Sequence, residues 1–197
     1  MHGDGLVHAD VKPDNVLVNY CSDDRENRFT DVRLADMGSS YPEDHRYARE
    51  GASIGAAIWR SPGALLKRPW DTKTDIWSFA TLLISLIYGG HFNNFDQPGV
   101  PFKFDDPEYE FEVLKLQVQF FGPFPTKYVE IADSDTIEVV IWLMENLVDK
   151  RMPFHLITER EICVRTRSSS AGSWSRIPGD RPSADEILAH EWWGDDS

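Results

Sequence analysis

Two cysteines, Cys21 and Cys163, are all that 197 residues contain. They cannot make a disulfide framework or a cysteine-held metal cluster, so a reduced intracellular setting, cytoplasm or nucleus, is expected. Basic residues are also few: 20 Lys and Arg stand against 33 Asp and Glu, a formal charge of -13. Nucleic-acid binding needs a basic surface to neutralise phosphates, and this balance argues against it. The acid excess serves solubility, and it also suits basic peptide substrates. The longest apolar run, residues 76–88, falls short of the ~20 residues of a membrane span. The opening Met-His-Gly-Asp-Gly has neither the basic flank nor the apolar core of a signal peptide. A soluble protein without nucleic-acid or membrane partners is expected, in an unspecified oligomeric state.

Apolar material is ample. Hydrophobic residues make up 41%, enough for one domain over residues 1–197 with a real core. Val16, Leu17 and Val18 predict a short strand, and residues 32–35 a second one, with a polar loop over 21–30 between them. Two such strands should lie on something helical. Residues 36–63 are rich in Gly, Ser, Pro and charge and show no period, which predicts a long loop. Apolar residues surround the helical wheel over 75–88, the pattern of a buried central helix ending at Gly89-Gly90. Phe111, Leu114, Val118 and Phe121 predict a helix over 108–121 that Gly122-Pro123 stops. Residues 137–148 predict another, opened by acidic residues that suit a positive helix dipole end. Ser183 followed by Glu186 reads as a capping box. Residues 165–178 are Ser- and Arg-rich and predict a flexible loop.

Chemistry concentrates in a few short runs. The first is His8-Ala9-Asp10 followed by Lys12-Pro13-Asp14-Asn15, and the second is Asp36-Met37-Gly38 after a strand. Further on come residues 55–62, Gly-Ala-Ala-Ile-Trp-Arg-Ser-Pro, then residues 75–80, Asp-Ile-Trp-Ser-Phe-Ala, and Asp180-Arg181-Pro182. Each is weak alone, since an Asp-Met-Gly is most often an ordinary turn. Their order and spacing together resemble the eukaryotic-type protein kinase family, of serine/threonine type. Trp59-Arg60-Ser61-Pro62 and residues 116–125 look most like the group of cyclin-dependent, MAP and SR-protein kinases.

The resemblance implies a mainly α fold with a small β-hairpin, the C-terminal lobe of a kinase with the N-terminal lobe absent. It implies ATP and Mg²⁺ as cofactors and a protein substrate bearing Ser or Thr. Phosphoryl transfer needs an acceptor for the hydroxyl proton, neutralisation of the moving charge, and a magnesium ligand. By resemblance, Asp10 is the catalytic acceptor and Lys12 meets the γ-phosphate. Asn15 and Asp36 hold the metal, because a hard dication prefers oxygen. Met37 would take the packing role of the family's Phe, and Gly38 would turn the chain with positive φ. Asp75 would brace the backbone of the catalytic loop.

Several family features are missing. No Gly-x-Gly-x-x-Gly run occurs, and only seven residues precede His8, so the strand Lys and helix Glu that hold ATP lack counterparts. The helix that enters the catalytic loop is also gone, which should expose apolar surface on the 76–88 helix. Ala9 stands where an Arg would bind a phosphorylated loop, and Ala56 where a Thr is usual. Gly63 replaces the Glu that pairs with the Arg matching Arg181, so a buried Arg181 would lack its counter-charge. The Ser/Arg-rich stretch has two readings, an imperfect or decayed copy and an SR-like phosphorylation tail. Function likewise has alternatives. The first is a Ser/Thr kinase, with the isolated chain weak or inactive. The others are a degenerate kinase acting only as a binding module and a small-molecule phosphotransferase; Lys12-Pro13 and Asp180-Arg181-Pro182 argue against the last.

Overall fold

A computed structural model describes residues 1–23, 28–88, 106–150 and 175–190. Four short strands pair as two antiparallel ribbons. β1 (Leu6–Val7) pairs β4 (Tyr41–Pro42), with Leu6 opposite Pro42 and Val7 opposite Tyr41. β2 (Val16–Tyr20) and β3 (Phe29–Leu34) form the expected hairpin, with Val16 opposite Leu34 and an irregularity between Leu17 and Asn19. It does not lie flat on helices as expected. Val16 alone packs against a buried cluster, that of Val11, Trp59 and Leu82, while Leu17, Tyr20, Phe29 and Val32 stay exposed.

Helices dominate the rest. The central one, α3 (Lys73–Tyr88), is buried on most sides, and Trp77 and Ile84 lie at the bottom of the main core. Against them pack Tyr109, Val113, Leu114 and Val118 of α4 (Pro107–Phe121), and Val140 and Leu143 of α6 (Ser134–Asn146). Local chemistry sets the helix ends. Pro107 opens α4, where its missing N–H costs nothing, and Gly122 at φ 82° closes it. Asp133 accepts the Thr136 N–H at the start of α6, 2.9 Å. Ser183 and Glu186 make the expected reciprocal capping box at the head of the last described helix. The expected stop at Gly89-Gly90 lies outside the described residues, as does most of the Ser/Arg-rich stretch. Its end includes a 3-10 turn, Pro178–Asp180.

Residues 36–63 differ from the expected long loop. They contain β4, helix α1 (Arg46–Glu50), a 3-10 turn (Ala57–Trp59) and the start of α2 (Pro62–Leu65). Each piece is held by tertiary contacts that leave no period. Trp70 donates its backbone N–H to Ala48 O (3.0 Å) and its indole N–H to Ala52 O (2.9 Å). Gly51, at φ 66°, lies so close to the Lys67 carbonyl that a Cβ would come within 2.0 Å of it, so only glycine fits. Between α4 and α6 the chain adds one helical turn, α5 (Tyr128–Ile131). The last described helix is α7 (Ala184–Leu188).

Candidate active site

The run 8–15 is held from below by α3. Asp75, 4% exposed, accepts the His8 N–H at Oδ2 (2.7 Å) and the Ala9 N–H at Oδ1 (2.9 Å). This is the brace expected of Asp75. It fixes Ala9 at φ 66°, a left-handed conformation that costs a non-glycine residue roughly 1–2 kcal/mol. The carboxylate's charged hydrogen bonds can offset that. His2 adds a third contact, with Nε2 2.9 Å from Asp75 Oδ2.

His8 is itself fully buried and ties the loop to the next strand. Its Nδ1 accepts the Asp10 N–H at 3.3 Å, and its Nε2 lies 2.9 Å from Ala35 O. That pattern assigns the proton to Nε2 as donor and leaves Nδ1 as acceptor. One ring thus links Asp10 to the residue before Asp36.

Asp10 is the hub. Its Oδ2 takes Lys12 Nζ at 2.8 Å and Asn15 Nδ2 at 3.1 Å, while Asn15 Nδ2 also donates to Asp10 O at 2.8 Å. Its Oδ1 is buried and has no partner. A buried carboxylate oxygen without a donor is costly, and such exceptions call for an explanation. An incoming hydroxyl would supply the missing donor. Asn15 spends its amide nitrogen on Asp10, which turns the amide oxygen away as an acceptor. The Ala35 N–H donates to Asn15 O (2.8 Å), so Asp36 follows at the same end of the hairpin.

The Asp-Met-Gly run departs from expectation in two ways. The left-handed residue is Asp36, at φ 61°, and not Gly38. Met37 is 49% exposed and fills no core position. Asp36 is exposed too. A carboxylate and an amide oxygen at one end of the hairpin suit Mg²⁺, which binds through one or two protein oxygens and takes the rest from phosphates and water. Among the described residues no group of three or more His, Cys, Asp or Glu forms a metal cluster.

The other wall is the loop at Gly55, with φ 46°. A Cβ there would come within 2.7 Å of both Ala9 O and Asp10 Oδ1, so the glycine lets this loop close over the orphan oxygen. Arg60, buried, holds this loop. Its guanidinium donates to Ile54 O and Gly55 O and pairs with Glu110 of α4. Lys67 Nζ also reaches Glu110 Oε2 (2.6 Å) and Ser53 Oγ (2.8 Å), while Gln117 Nε2 donates to Arg60 O (2.8 Å). These supports escaped the sequence reading. Glu110 stands 50 residues from Arg60, and nothing local marks it as other than one acid in an acidic helix start.

Away from the site, Arg181 is 2% exposed and has no ion pair among the described residues; its guanidinium lies 5.3 Å from the centre of the Trp77 ring. It donates through Nε to Ser175 O (2.6 Å) and through Nη1 to Lys73 O (2.9 Å), and its Nη2 has no partner. Burial pulls its pKa down to about 10.

A brace under a His-x-Asp loop, a Lys and an Asn on its carboxylate, and an Asp at the hairpin end thus stand together on a mainly helical fold. A sequence model of the protein kinase domain matches residues 1–193, and the chain belongs to that family. It is 27% identical over 190 residues to Serine/threonine-protein kinase PKH2 of Saccharomyces cerevisiae, covering 90% of the chain and 15% of PKH2. With 3-phosphoinositide-dependent protein kinase B of Dictyostelium discoideum it shares 28% over 186 residues, 92% of the chain and 17% of that protein. Serine/threonine-protein kinase pakE of Dictyostelium discoideum is 34% identical over 89 residues, 45% of the chain and 9% of pakE. The chain therefore spans less than a fifth of each of these relatives. A chain of the yeast RNA Pol II CTD kinase CTDK-1 complex superposes with a TM-score of 0.72 at 16% identity, covering all of this chain and 58% of that one, a likeness of fold. Among the described residues no helix is long and apolar enough to cross a membrane.

Proposed function

We propose that this chain is the catalytic lobe of a serine/threonine protein kinase, moving the γ-phosphate of ATP to a protein hydroxyl with Mg²⁺. The observation that carries the reading is the arrangement at Asp10, with one carboxylate oxygen held by Lys12 and Asn15 and the other buried without a donor. Asp10 Oδ1 orients a Ser or Thr hydroxyl and accepts its proton as the oxygen attacks. Lys12 neutralises Asp10 in the resting site and is close enough to meet phosphate charge. Asn15 and Asp36 are the residues that would hold Mg²⁺, which supplies charge neutralisation at the phosphates when bound. The Gly55 loop lies over Oδ1 and would have to shift to admit the hydroxyl.

The described residues bear on the phosphates and the hydroxyl, and no Gly-rich phosphate loop occurs in the sequence. Transfer by this chain alone is accordingly slow. The finer grouping with cyclin-dependent, MAP and SR-protein kinases rests on Trp59-Arg60-Ser61-Pro62. The second reading, a binding module without catalysis, draws on the exposed Met37 and the unpaired Arg181.

The purified chain incubated with labelled Mg-ATP and a Ser/Thr-rich protein decides between them. The kinase reading expects magnesium-dependent label on Ser or Thr, reduced roughly 10²–10⁴-fold by Asp10→Asn. Label that persists in Asp10→Asn sinks the assignment of Asp10. Absence of both transfer and a nucleotide-dependent thermal shift would support the binding module.

A further inference from the structure

Glu110 and Lys67, which hold the loop at Gly55, also line a groove that the kinase reading does not use. It has a volume of about 300 Å³ and lies between α2, α4 and α6. Leu65, Leu66, Phe111, Leu114 and Val139 form its apolar walls, and all five belong to the main core or pack against it. A side chain entering here would extend that core. The volume is at the lower end for a binding cleft and suits one bulky side chain. Trp142 carries the wall out into solvent. Its ring centre lies 5.4 Å from that of Phe111, and the residue is 45% exposed. A half-exposed Trp beside a Phe at the mouth of an apolar cleft is the make-up of an anchor point in protein interfaces, where a few aromatic side chains dominate the energy.

Charge narrows the occupant. α6 carries Asp135, Glu138 and Glu145 and neither Lys nor Arg. Asp135 lines the groove, and Glu138 stands one turn before Trp142 on the same helix face. The cations nearby are committed to acids, Lys67 to Glu110 and Lys115 to Glu112. A partner that sets an apolar side chain between Lys or Arg residues matches both features, and the chain's formal charge of -13 draws such a segment in. The groove is also tied to the active site. Glu110 pairs with Arg60, which holds Gly55 O, and Lys67 Nζ reaches Ser53 Oγ. The loop that must shift to admit a hydroxyl is thus held from the groove wall. We propose that the groove docks a segment of the protein substrate, distant from the hydroxyl to be phosphorylated, in which a bulky apolar residue is flanked by Lys or Arg. That the partner is the substrate rests on the kinase reading; the docking chemistry does not.

A fluorescein-labelled peptide, Gly-Lys-Arg-Phe-Lys-Arg-Gly, has no side-chain hydroxyl and so reports docking without transfer. Titrated with the full chain, its anisotropy is expected to saturate with a Kd of about 10–100 μM. Replacing its Phe by Ala, or its basic residues by Glu, is expected to weaken binding by about tenfold or more. Trp142→Ala and Asp135→Asn, both at exposed positions, should each weaken it by about three- to tenfold with the urea midpoint kept. The same peptide joined by a flexible linker to an acceptor Ser should show a KM about tenfold below that of linker and Ser alone, an advantage lost in Trp142→Ala. No saturable binding, or binding unchanged by the peptide's Phe and by both variants, overturns the docking site whatever transfer is observed. Specific binding without transfer to any acceptor overturns the kinase reading and leaves the groove as a docking site for a basic segment. Binding and transfer with no gain in KM overturn the assignment of that segment to the substrate. Self-association that Trp142→Ala abolishes, with no peptide bound, gives the groove to a second copy and overturns the proposal.

Discussion

Gly55 and Asp10 touch through an atom that is absent. With a methyl group in place of the Gly55 hydrogen, the carbon would sit 2.7 Å from Asp10 Oδ1, in a backbone conformation at φ 46° that side chains rarely adopt. Gly55→Ala is therefore expected to cost about 1–2 kcal/mol of stability and far more of the function. The new methyl would clash with the oxygen that is to receive the hydroxyl proton and displace it, so phosphoryl transfer should fall by about 10² or more. Urea midpoints and transfer rates on the same preparation separate the two effects. A variant as active as the parent would show that Oδ1 is not the working oxygen. Arg60 and Glu110 lie one step further out. Their pairing holds the carbonyls of Ile54 and Gly55, and breaking a buried pair from one side costs about 3–5 kcal/mol. Glu110→Ala is thus expected to lower stability by that amount and to loosen the Gly55 loop, read as faster amide exchange at residues 54–57. Unaltered exchange there would leave the pair a purely structural tie.

At the scale of elements, what the sequence disclosed follows from distance along the chain. Asp10, Lys12 and Asn15 lie within five residues of one another, so their run was readable and the fold brings all three together. Asp36 was readable through its own motif, although the turn is made by Asp36 and not by Gly38. Long helices announced themselves by period, and the Ser183–Glu186 box by two residues. Residues 36–63 stayed opaque because five-residue helices and 3-10 turns have no period to show. Their order comes from partners such as Trp70 and Lys67, a dozen or more residues away. The same logic makes Asp75 the element-level hinge of the site. Asp75→Asn leaves one of the His8 and Ala9 N–H groups facing an amide donor, with an expected loss of about 3 kcal/mol. Faster exchange at residues 8–10 should accompany it, and normal protection at those amides would refute the brace. At α6 the Asp133 carboxyl is held below its ordinary pKa, first by the hydrogen bonds from Thr136. A depressed carboxyl stabilises the fold above its unfolded value of 3.8 and loses that effect as pH falls through the lower folded value. The stability gap between the parent and Asp133→Ala should therefore be constant near neutrality and close in that acid window. A gap that is flat into strong acid would mean the cap does not act through charge.

For the whole molecule, the notable feature is how much apolar side chain faces water in two places. On the hairpin, Leu17, Val18, Tyr20, Phe29 and Val32 are exposed, and at the end of α3 Leu86 is 63% exposed with Ile87 beside it. A separate apolar groove of about 360 Å³ is lined by Val11, by Leu34 at the end of β3, by Ile76 and Phe79 in the first half of α3, and by Ile187 and Leu188 of α7, where the sequence suggested that α3 would be left uncovered. The two hairpin strands, which have no further strand beside them among the described residues, also present outer edges. Apolar patches of this kind, next to open strand edges, drive association unless something covers them. The isolated chain is accordingly expected to bind a hydrophobic dye in its native state and to show a sedimentation coefficient that rises with concentration across the micromolar range. Leu17→Lys combined with Leu86→Lys places one charge in each patch. Both positions are exposed, so the double variant should keep its urea midpoint to within about 1 kcal/mol while dye binding and concentration dependence fall. If the parent chain sediments as a monomer at every concentration and takes up no dye, the net charge of -13 is enough to hold these surfaces apart, and the apolar patches do not govern how the chain behaves in solution.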